Sequence, residues 1–115
     1  MKTTTRLKDG VPILEPNGKI IGTAASELEE KLVSQIDASN TSTLLINFKG
    51  VNKIDSSGLG TLVSAYIAAK RKKGRIGIIN VGRNIKSLVV QNRLIHIFEH
   101  FENEDAAVAA LSTHA

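Results

Sequence analysis

The sequence predicts an α/β fold, with one mixed β-sheet of four to five strands and about four helices packed mainly on one face. Short apolar runs alternate with segments of helical periodicity, which is typical of strands joined by right-handed crossovers. Turn pairs near the N-terminus add an antiparallel part. The chain has 115 residues, of which 42% are hydrophobic and 23% charged, values typical of a globular domain with one core. We therefore expect one domain spanning residues 1–115.

The pattern of the N-terminal quarter predicts short antiparallel strands. Asp9-Gly10 is a hairpin turn pair, preceded by a possible edge strand at Thr3–Lys8 and followed by extended residues Val11–Pro16. Pro16-Asn17-Gly18 predicts a second turn before Lys19-Ile20-Ile21.

A helical period follows, and it places five apolar side chains on one face: Ala25, Leu28, Leu32, Val33 and Ile36. Ser26 with Glu29 fits a capping box, and Thr23 is an alternative cap. Residues 37–42 are polar and predict a loop. The apolar run Leu44–Phe48 then suits a strand that is covered on both faces.

A second long helix is predicted by apolar residues on one face: Leu59, Leu62, Val63, Tyr66 and Ile67. Four cations and Gly74 mark its end. Ile76–Val81 is another buried-type strand, and Asn84 is placed to cap a short helix containing Ile85, Leu88 and Val89. Ile95–Phe101 predicts a short strand. A last helix opens at Asn103 and runs through Leu111.

Composition excludes several classes of function. Cysteine is absent, which rules out disulfides and cysteine-zinc sites, and only four residues are aromatic, too few for a base-stacking surface. No apolar run approaches the roughly 20 residues of a membrane span, and the N-terminus lacks the apolar stretch of a secretory signal. We therefore expect a cytoplasmic protein with no membrane insertion.

The net charge of +4 is concentrated in one basic cluster: Lys70, Arg71, Lys72, Lys73 and Arg75. Such a cluster could contact nucleic acid, anionic lipid or an acidic partner. Because it ends a predicted helix, where cations complement the helix dipole, we favour a solvated helix end and expect no direct nucleic-acid binding.

The segment that could carry chemistry is Ile54-Asp55-Ser56-Ser57-Gly58-Leu59-Gly60, between a buried strand and the second long helix. Ligands and sites collect at such strand-to-helix loops. One interpretation is structural: Asp55 or Ser56 caps the helix, and the glycines permit close packing. The other is a phosphorylation switch, in which a phosphate on Ser56 meets free backbone N–H groups at the helix start.

This strand–Asp55-Ser56-Ser57-Gly58-Leu59-Gly60–helix string resembles the signature of the anti-sigma-factor antagonists, the bacterial STAS domains. The resemblance covers almost the whole chain, including Leu94–Glu99 before a final helix. It implies that Ser56 is phosphorylated by a partner serine kinase with a GHKL-type ATPase fold, which is also the anti-sigma factor or a related switch protein. It further implies that the unphosphorylated form binds this kinase and that a PP2C-type phosphatase resets the switch.

Within that resemblance the loop Asp55–Gly60 is the partner-binding segment. Asp55 and Ser57 shape it, while Gly58 and Gly60 allow the tight turn and the approach of a partner. Leu59 either anchors the helix to the sheet or contacts the partner, and its burial decides between the two. No cofactor or metal is expected.

The chain departs from the family at Gly18-Lys19-Ile20-Ile21, where such proteins often have Gly-Glu-Leu-Asp or something close. Lys19 and Ile21 therefore replace two acids near the usual partner surface. STAS domains also occur in transporters, lipid-transport complexes and sensory assemblies. The alternative hypothesis is a protein-interaction subunit of such an assembly.

An enzyme hypothesis joins Ser56 to His96, His100 or His114 as a hydrolase triad. The required Gly-x-Ser-x-Gly elbow is only half present, because Ile54 stands in the position of the first glycine. His96 and His100 are four residues apart, a spacing that could bind a metal on a helix, but a strand is predicted there and no third ligand is evident. We expect a non-catalytic protein with ordinary surface histidines.

Overall fold

A computed structural model describes residues 2–38 and 43–112 of the chain. Within these residues the backbone forms six strands and four helices. Their order is β1 (Lys2–Lys8), β2 (Val11–Ile20), α1 (Thr23–Ala38), β3 (Leu44–Asn47), β4 (Val51–Ile54), α2 (Ser56–Arg71), β5 (Ile76–Ile79), α3 (Arg83–Gln91), β6 (Glu99–His100) and α4 (Glu104–Leu111).

The strands form one mixed sheet, as predicted. Five of them lie side by side in the order β1-β2-β3-β5-β6, and β4 pairs with β2 beyond the end of β3. β1 and β2 are antiparallel and joined by the Asp9-Gly10 turn, in which both residues have positive φ. Every other pairing is parallel. β3 and β4 both run parallel to β2, and β4 pairs with the C-terminal end of β2. The chain therefore leaves β4 at the edge of the sheet where the parallel strands have their carboxyl ends.

Helices cover the two faces of the sheet unequally. The larger core joins α1, α2 and α3 to one face and includes Leu14, Ile20, Leu28, Leu32, Ile46, Ile54, Leu62 and Ile85. A smaller cluster under α4 covers part of the other face and contains Val11, Ile13, Leu45, Ile79, Ala107, Val108 and Leu111. Three of the four helices in the described ranges thus share one face, which agrees with the prediction.

The predicted turn at Pro16-Asn17-Gly18 does not form, because β2 continues through it to Ile20. Its residues instead form an irregularity within the strand. The pairing register with β4 shifts between Gly18 and Lys19, and Gly18 has a φ of 115°. A β-bulge accommodates a residue of this conformation while the strand continues.

The strand count of six exceeds the predicted four to five because Val51–Ile54 is a separate strand. Its two ends are buried and its two middle residues exposed, a pattern without the alternation of a strand. The opposite error occurs at Ile95–Phe101, of which only Glu99–His100 is a strand. A turn closed by Ile97 N donating to Leu94 O (3.2 Å) occupies part of the remainder.

The predicted caps of two helices also differ from the structure. α1 begins at Thr23, the residue given as the alternative cap, so Ser26 lies inside the helix and is no cap. Gly82 precedes α3 without a side-chain cap, and the Asn84 amide donates instead to Asn52 O (3.2 Å). The start of α4 is as predicted, because the Asn103 side chain accepts a bond from Ala106 N (2.8 Å).

The ends of the two long helices differ slightly from prediction. α1 extends to Ala38, two residues into the predicted loop, and the remainder of that loop, residues 39–42, lies outside the described residues. α2 ends at Arg71, and Gly74 N donates to Ala69 O (2.7 Å). The left-handed residue that closes the helix is Lys73 rather than Gly74. Ile67, predicted on the buried face, is 46% exposed because Ala65 and Ala69 occupy that face.

Candidate functional site

The start of α2 is organised by one carboxylate. Asp55 is the N-cap residue, and its Oδ1 accepts a bond from Gly58 N (3.0 Å). Its other oxygen, Oδ2, accepts a longer bond from Gly22 N (3.4 Å), in the turn before α1. A capping carboxylate satisfies backbone donors that have no partner inside the helix. The structure therefore assigns the cap to Asp55 and not to Ser56.

The two glycines of the segment have different surroundings. A Cβ atom on Gly58 would stand 2.5 Å from Ile20 O and would also collide with the Ile54 side chain. Gly58 is therefore needed for α2 to pack against β2 and β4. Gly60 is exposed, and a Cβ atom there would meet nothing within 4 Å.

Leu59 anchors the helix, since it is only 9% exposed and belongs to the larger core. Burying a leucine side chain contributes about 1.5–3 kcal/mol. Thr61, which the sequence analysis did not single out, is 2% exposed and donates to Ala25 O (2.9 Å), so it joins α2 to α1. In the sequence, the one signal for this contact is that Thr61 places a hydroxyl on the otherwise apolar face of α2.

Ser56 and Ser57 are the first two residues of α2, and both are exposed. Among the residues that the structure describes, neither hydroxyl has a hydrogen-bond partner. The first turn contains no acidic side chain. The arrangement leaves an accessible hydroxyl at the positive end of a helix dipole, beside a cap that does not depend on it.

Cations border this segment. Lys19 of β2 lies opposite Lys53 of β4, and both side chains are exposed. Neighbouring strands are about 4.8 Å apart, so the two lysines are adjacent across the sheet. Within the described ranges neither lysine has an ion pair. Ile21, the other position that departs from the family pattern, is half-buried.

Comparison with known proteins agrees with this architecture. The sequence model of the STAS domain family matches residues 2–107. The chain belongs to the STAS domain family. No helix in the described part of this STAS domain is long and apolar enough to cross a membrane.

Solved structures similar to this STAS domain include anti-sigma factor antagonists and an anion transporter. An anti-sigma factor antagonist from Mycobacterium paratuberculosis is 23% identical, with a TM-score of 0.85 over 97% of this chain and 94% of that one. The Bacillus cell fate determinant SpoIIAA in its phosphorylated form is 17% identical, with a TM-score of 0.73 over 95% and 98%. The murine anion transporter Slc26a9 is 14% identical, with a TM-score of 0.77 over 91% of this chain and 18% of the transporter.

The two histidines that the structure describes lie away from Ser56 in this STAS domain. His96 lines a small cavity with Ala69 and Lys70, at the far end of α2. At about 1.5 Å per residue, that end is about 20 Å from Ser56 along the helix. His100 lies in β6, where its Nε2 is 2.9 Å from Ile95 O. The structure does not bring these two histidines to Ser56, and His114 lies outside the described residues.

No group of three or more histidine, aspartate or glutamate side chains within residues 2–38 and 43–112 is arranged to hold a metal ion.

The basic cluster at the end of α2 is partly neutralised. Lys72 Nζ is 3.0 Å from Asp37 Oδ1 at the end of α1. Arg75 donates to both carboxylate oxygens of Glu99 (2.7 and 2.5 Å) and to Ala110 O (3.0 Å). The hydrogen bonds from Arg75 lower the pKa of Glu99. Lys72 and Arg75 of the five cations thus form ion pairs within the domain.

Proposed function

We propose that this STAS domain is a non-catalytic, phosphorylation-controlled binding protein with Ser56 as the phosphate acceptor. The observation that carries the proposal is that different residues cap α2 and offer a free hydroxyl at its start. Asp55 caps the helix, so the exposed Ser56 hydroxyl is free to be modified without loss of the cap. Asp55, Ser57 and the exposed edge at Gly60 form the surface around it.

A phosphate at this position changes a surface more than it changes a fold. It adds about −1.5 to −2 charge at pH 7, nearly half of the chain's net charge of +4. The helix dipole favours an anion at this end of α2. A partner that packs on the same surface meets a new charge and loses contact with it. The expected outcome is binding without phosphate and release with it.

Similar proteins support the identity of the partner. One structural neighbour is an anti-sigma factor antagonist, and another, SpoIIAA, is known in a phosphorylated form. We infer by analogy that the unphosphorylated domain binds a serine kinase of GHKL-type ATPase fold that acts as an anti-sigma factor. A PP2C-type phosphatase would reverse the modification. In this way a cytoplasmic domain regulates transcription without contacting DNA.

The test is phosphorylation by candidate GHKL-type serine kinases from the same genome with labelled ATP. We expect label on the wild type and on Ser57→Ala, and none on Ser56→Ala. Ser57→Ala is the matched control, because it removes another exposed hydroxyl one residue away. If label persists on Ser56→Ala and disappears from Ser57→Ala, the acceptor is Ser57 and not Ser56. If no candidate kinase labels the wild type, the result counts against control by phosphorylation.

The second candidate function is an interaction subunit of a different assembly, such as a transporter. It is favoured by the similarity to part of the murine anion transporter and by Lys19 and Ile21 in place of the usual acids. Purified candidate partners separate the two functions. Binding to the kinase that is lost on phosphorylation supports the first, whereas phosphate-independent binding to a membrane transporter supports the second.

A further inference from the structure

A second candidate site lies on the opposite face of the sheet, beyond the part that α4 covers. Val11 and Ile13 of β2 pack under α4, but Glu15 and Asn17, which continue the same face, do not. A cleft of about 420 Å³ opens there. Its lining is Lys2, Thr4, Glu15, Pro16, Asn17, Asn47, Lys49 and Gly50.

The floor of the cleft is a buried amide held in a fixed orientation. Asn47 is only 8% exposed. Its Nδ2 donates to Glu15 Oε2 (2.8 Å), and its Oδ1 accepts bonds from Lys49 N and from Asn80 Nδ2, both at 3.0 Å. Residues of β2 and β3, the residue after β5 and the turn after β3 therefore fix the polar floor before any ligand arrives.

The wall of the cleft is also preformed. Asn17 belongs to the Pro16-Asn17-Gly18 segment that bends β2 instead of forming a turn. A Cβ atom on Gly50 would stand 2.7 Å from Asn17 Oδ1, so the glycine makes room for this amide. Gly18 N donates to Gly50 O (2.8 Å) and holds the two backbones together. The cleft thus presents oriented polar groups on rigid backbone.

The charge of the cleft is positive. Lys2 and Lys49 are exposed, and within the described residues neither has an ion pair. The acid of the cleft, Glu15, is paired with Arg6, whose Nε is 2.9 Å from Glu15 Oε1 and whose guanidinium also pairs with Glu104. The hydrogen bond from Arg6 is the largest cause of a lowered pKa at Glu15, with a further contribution from Asn47. Two lysines that form no ion pair in the described ranges therefore line a cleft whose carboxylate is already paired with an arginine.

We propose that this cleft binds a small organic anion, a phosphate ester or a carboxylate. The ammonium groups of Lys2 and Lys49 hold its charged group, and the side chains of Thr4 and Asn17 hydrogen-bond its polar body. The volume lies within the range of small-molecule pockets. A discrete small ligand is favoured over a flat anionic surface, because the amides stand in a concave site. This binding does not depend on Ser56 or on the proposed phosphorylation.

The experiment is a titration of the full chain, followed by backbone amide resonances, with pyrophosphate and separately with citrate at constant ionic strength. We expect saturable shifts of the amides of Thr4, Asn17 and Gly50. Lys49→Gln should weaken binding about tenfold, the loss expected for one charge-assisted hydrogen bond. Lys70→Gln is the matched control, since it removes the same charge from an exposed position at the end of α2.

The two anions distinguish the ligand class. Saturation by pyrophosphate alone assigns phosphate esters, and saturation by citrate alone assigns carboxylates. Shifts that stay linear with both anions would overturn the site. An equal loss of affinity in Lys70→Gln and Lys49→Gln would overturn it too, because that result indicates charge alone. An Asn17→Ala variant, expected to bind more weakly than wild type, tests the amide contribution separately.

Discussion

The start of α2 and the contact between β1 and α4 use charge in opposite ways. At the contact between β1 and α4, Arg6 of β1 donates hydrogen bonds to Glu15 of β2 and to Glu104 of α4. Lys8 adds a bond to Asp105 (3.0 Å) and a longer one to Glu104 (3.4 Å). Charged side chains there are bound to one another, and together they fasten the last helix to the edge of the sheet.

At the start of α2 the one carboxylate serves backbone N–H groups, while Ser56, Ser57, Lys19 and Lys53 remain exposed. The contrast separates polar groups that stabilise the fold from polar groups that are available to another molecule. Substitutions in the two regions should therefore differ in what they damage, and the following predictions are ordered by the size of the expected effect.

The largest effect is expected at Gly58. Gly58→Ala places a Cβ atom against Ile20 O and the Ile54 side chain, so α2 must shift, at a cost of about 2 kcal/mol in the free energy of unfolding. Gly60→Ala is the matched control and should stabilise the domain by about 0.5–1 kcal/mol, because its Cβ position is open and alanine favours the helix. Urea denaturation measures both, and equal losses would contradict the assigned packing.

Asp55→Ala comes next. It removes the cap of α2 and the bond to Gly22 N, and should lower the free energy of unfolding by about 1–2 kcal/mol. Asp55→Asn keeps a capping oxygen and should cost much less. The measurement is chemical denaturation of both variants. If Asn and Ala are equally destabilising, the charge rather than the hydrogen bond is what matters.

A smaller effect with a distinct pH dependence is expected at Glu104. Hydrogen bonds from Arg6 are the largest cause of its lowered pKa. A carboxyl whose pKa is lower in the folded than in the unfolded state stabilises the fold above the unfolded pKa, about 4.3, and loses this contribution as pH falls through the folded value.

Glu104→Gln should therefore cost about 0.5–1 kcal/mol at pH 7, and the difference from wild type should shrink as the pH is lowered below about 4. Thermal or urea denaturation at a series of pH values measures it. Glu102→Gln, at an exposed position two residues earlier, is the control and should follow the wild type. A difference that stays constant down to pH 2 would show that the ion pairs are not its source.

The smallest effect on stability is expected at the proposed acceptor itself. Ser56→Asp should change the free energy of unfolding by less than about 0.5 kcal/mol, because the exposed side chain makes no contact that the fold needs. The same variant should weaken binding of the kinase found by labelling at least about tenfold. Ser57→Asp, which adds the same charge one residue away, is the control that separates the effect of position from the effect of charge. A large loss of stability in Ser56→Asp would place this residue with the structural groups instead.

Much of the fold could be predicted because periodicity within each segment reports burial. The faces of α1 and the start of α4 follow directly from neighbouring residues. β4 was missed because four residues with an exposed middle carry no period, and Asn84 was misassigned because its amide bonds a residue 32 positions away. At the site, the cap by Asp55 is local and predictable.

The need for glycine at position 58 was not predictable in detail, because it arises from Ile20, which only the folded sheet brings close. The same holds for the cleft around Asn47, whose lining comes from three strands and a turn. Contacts between distant segments leave no pattern in any one segment.

The two bonds of Asp55 have a consequence for local motion. One carboxylate holds Gly22 N before α1 and Gly58 N in α2, while Thr61 joins the same two helices inside the core. Hydrogen exchange at these two amides measures how often this junction opens. Slow and matched exchange at Gly22 and Gly58 would mark the junction as one cooperative unit, and Ser56 would then lie beside a segment that rarely opens.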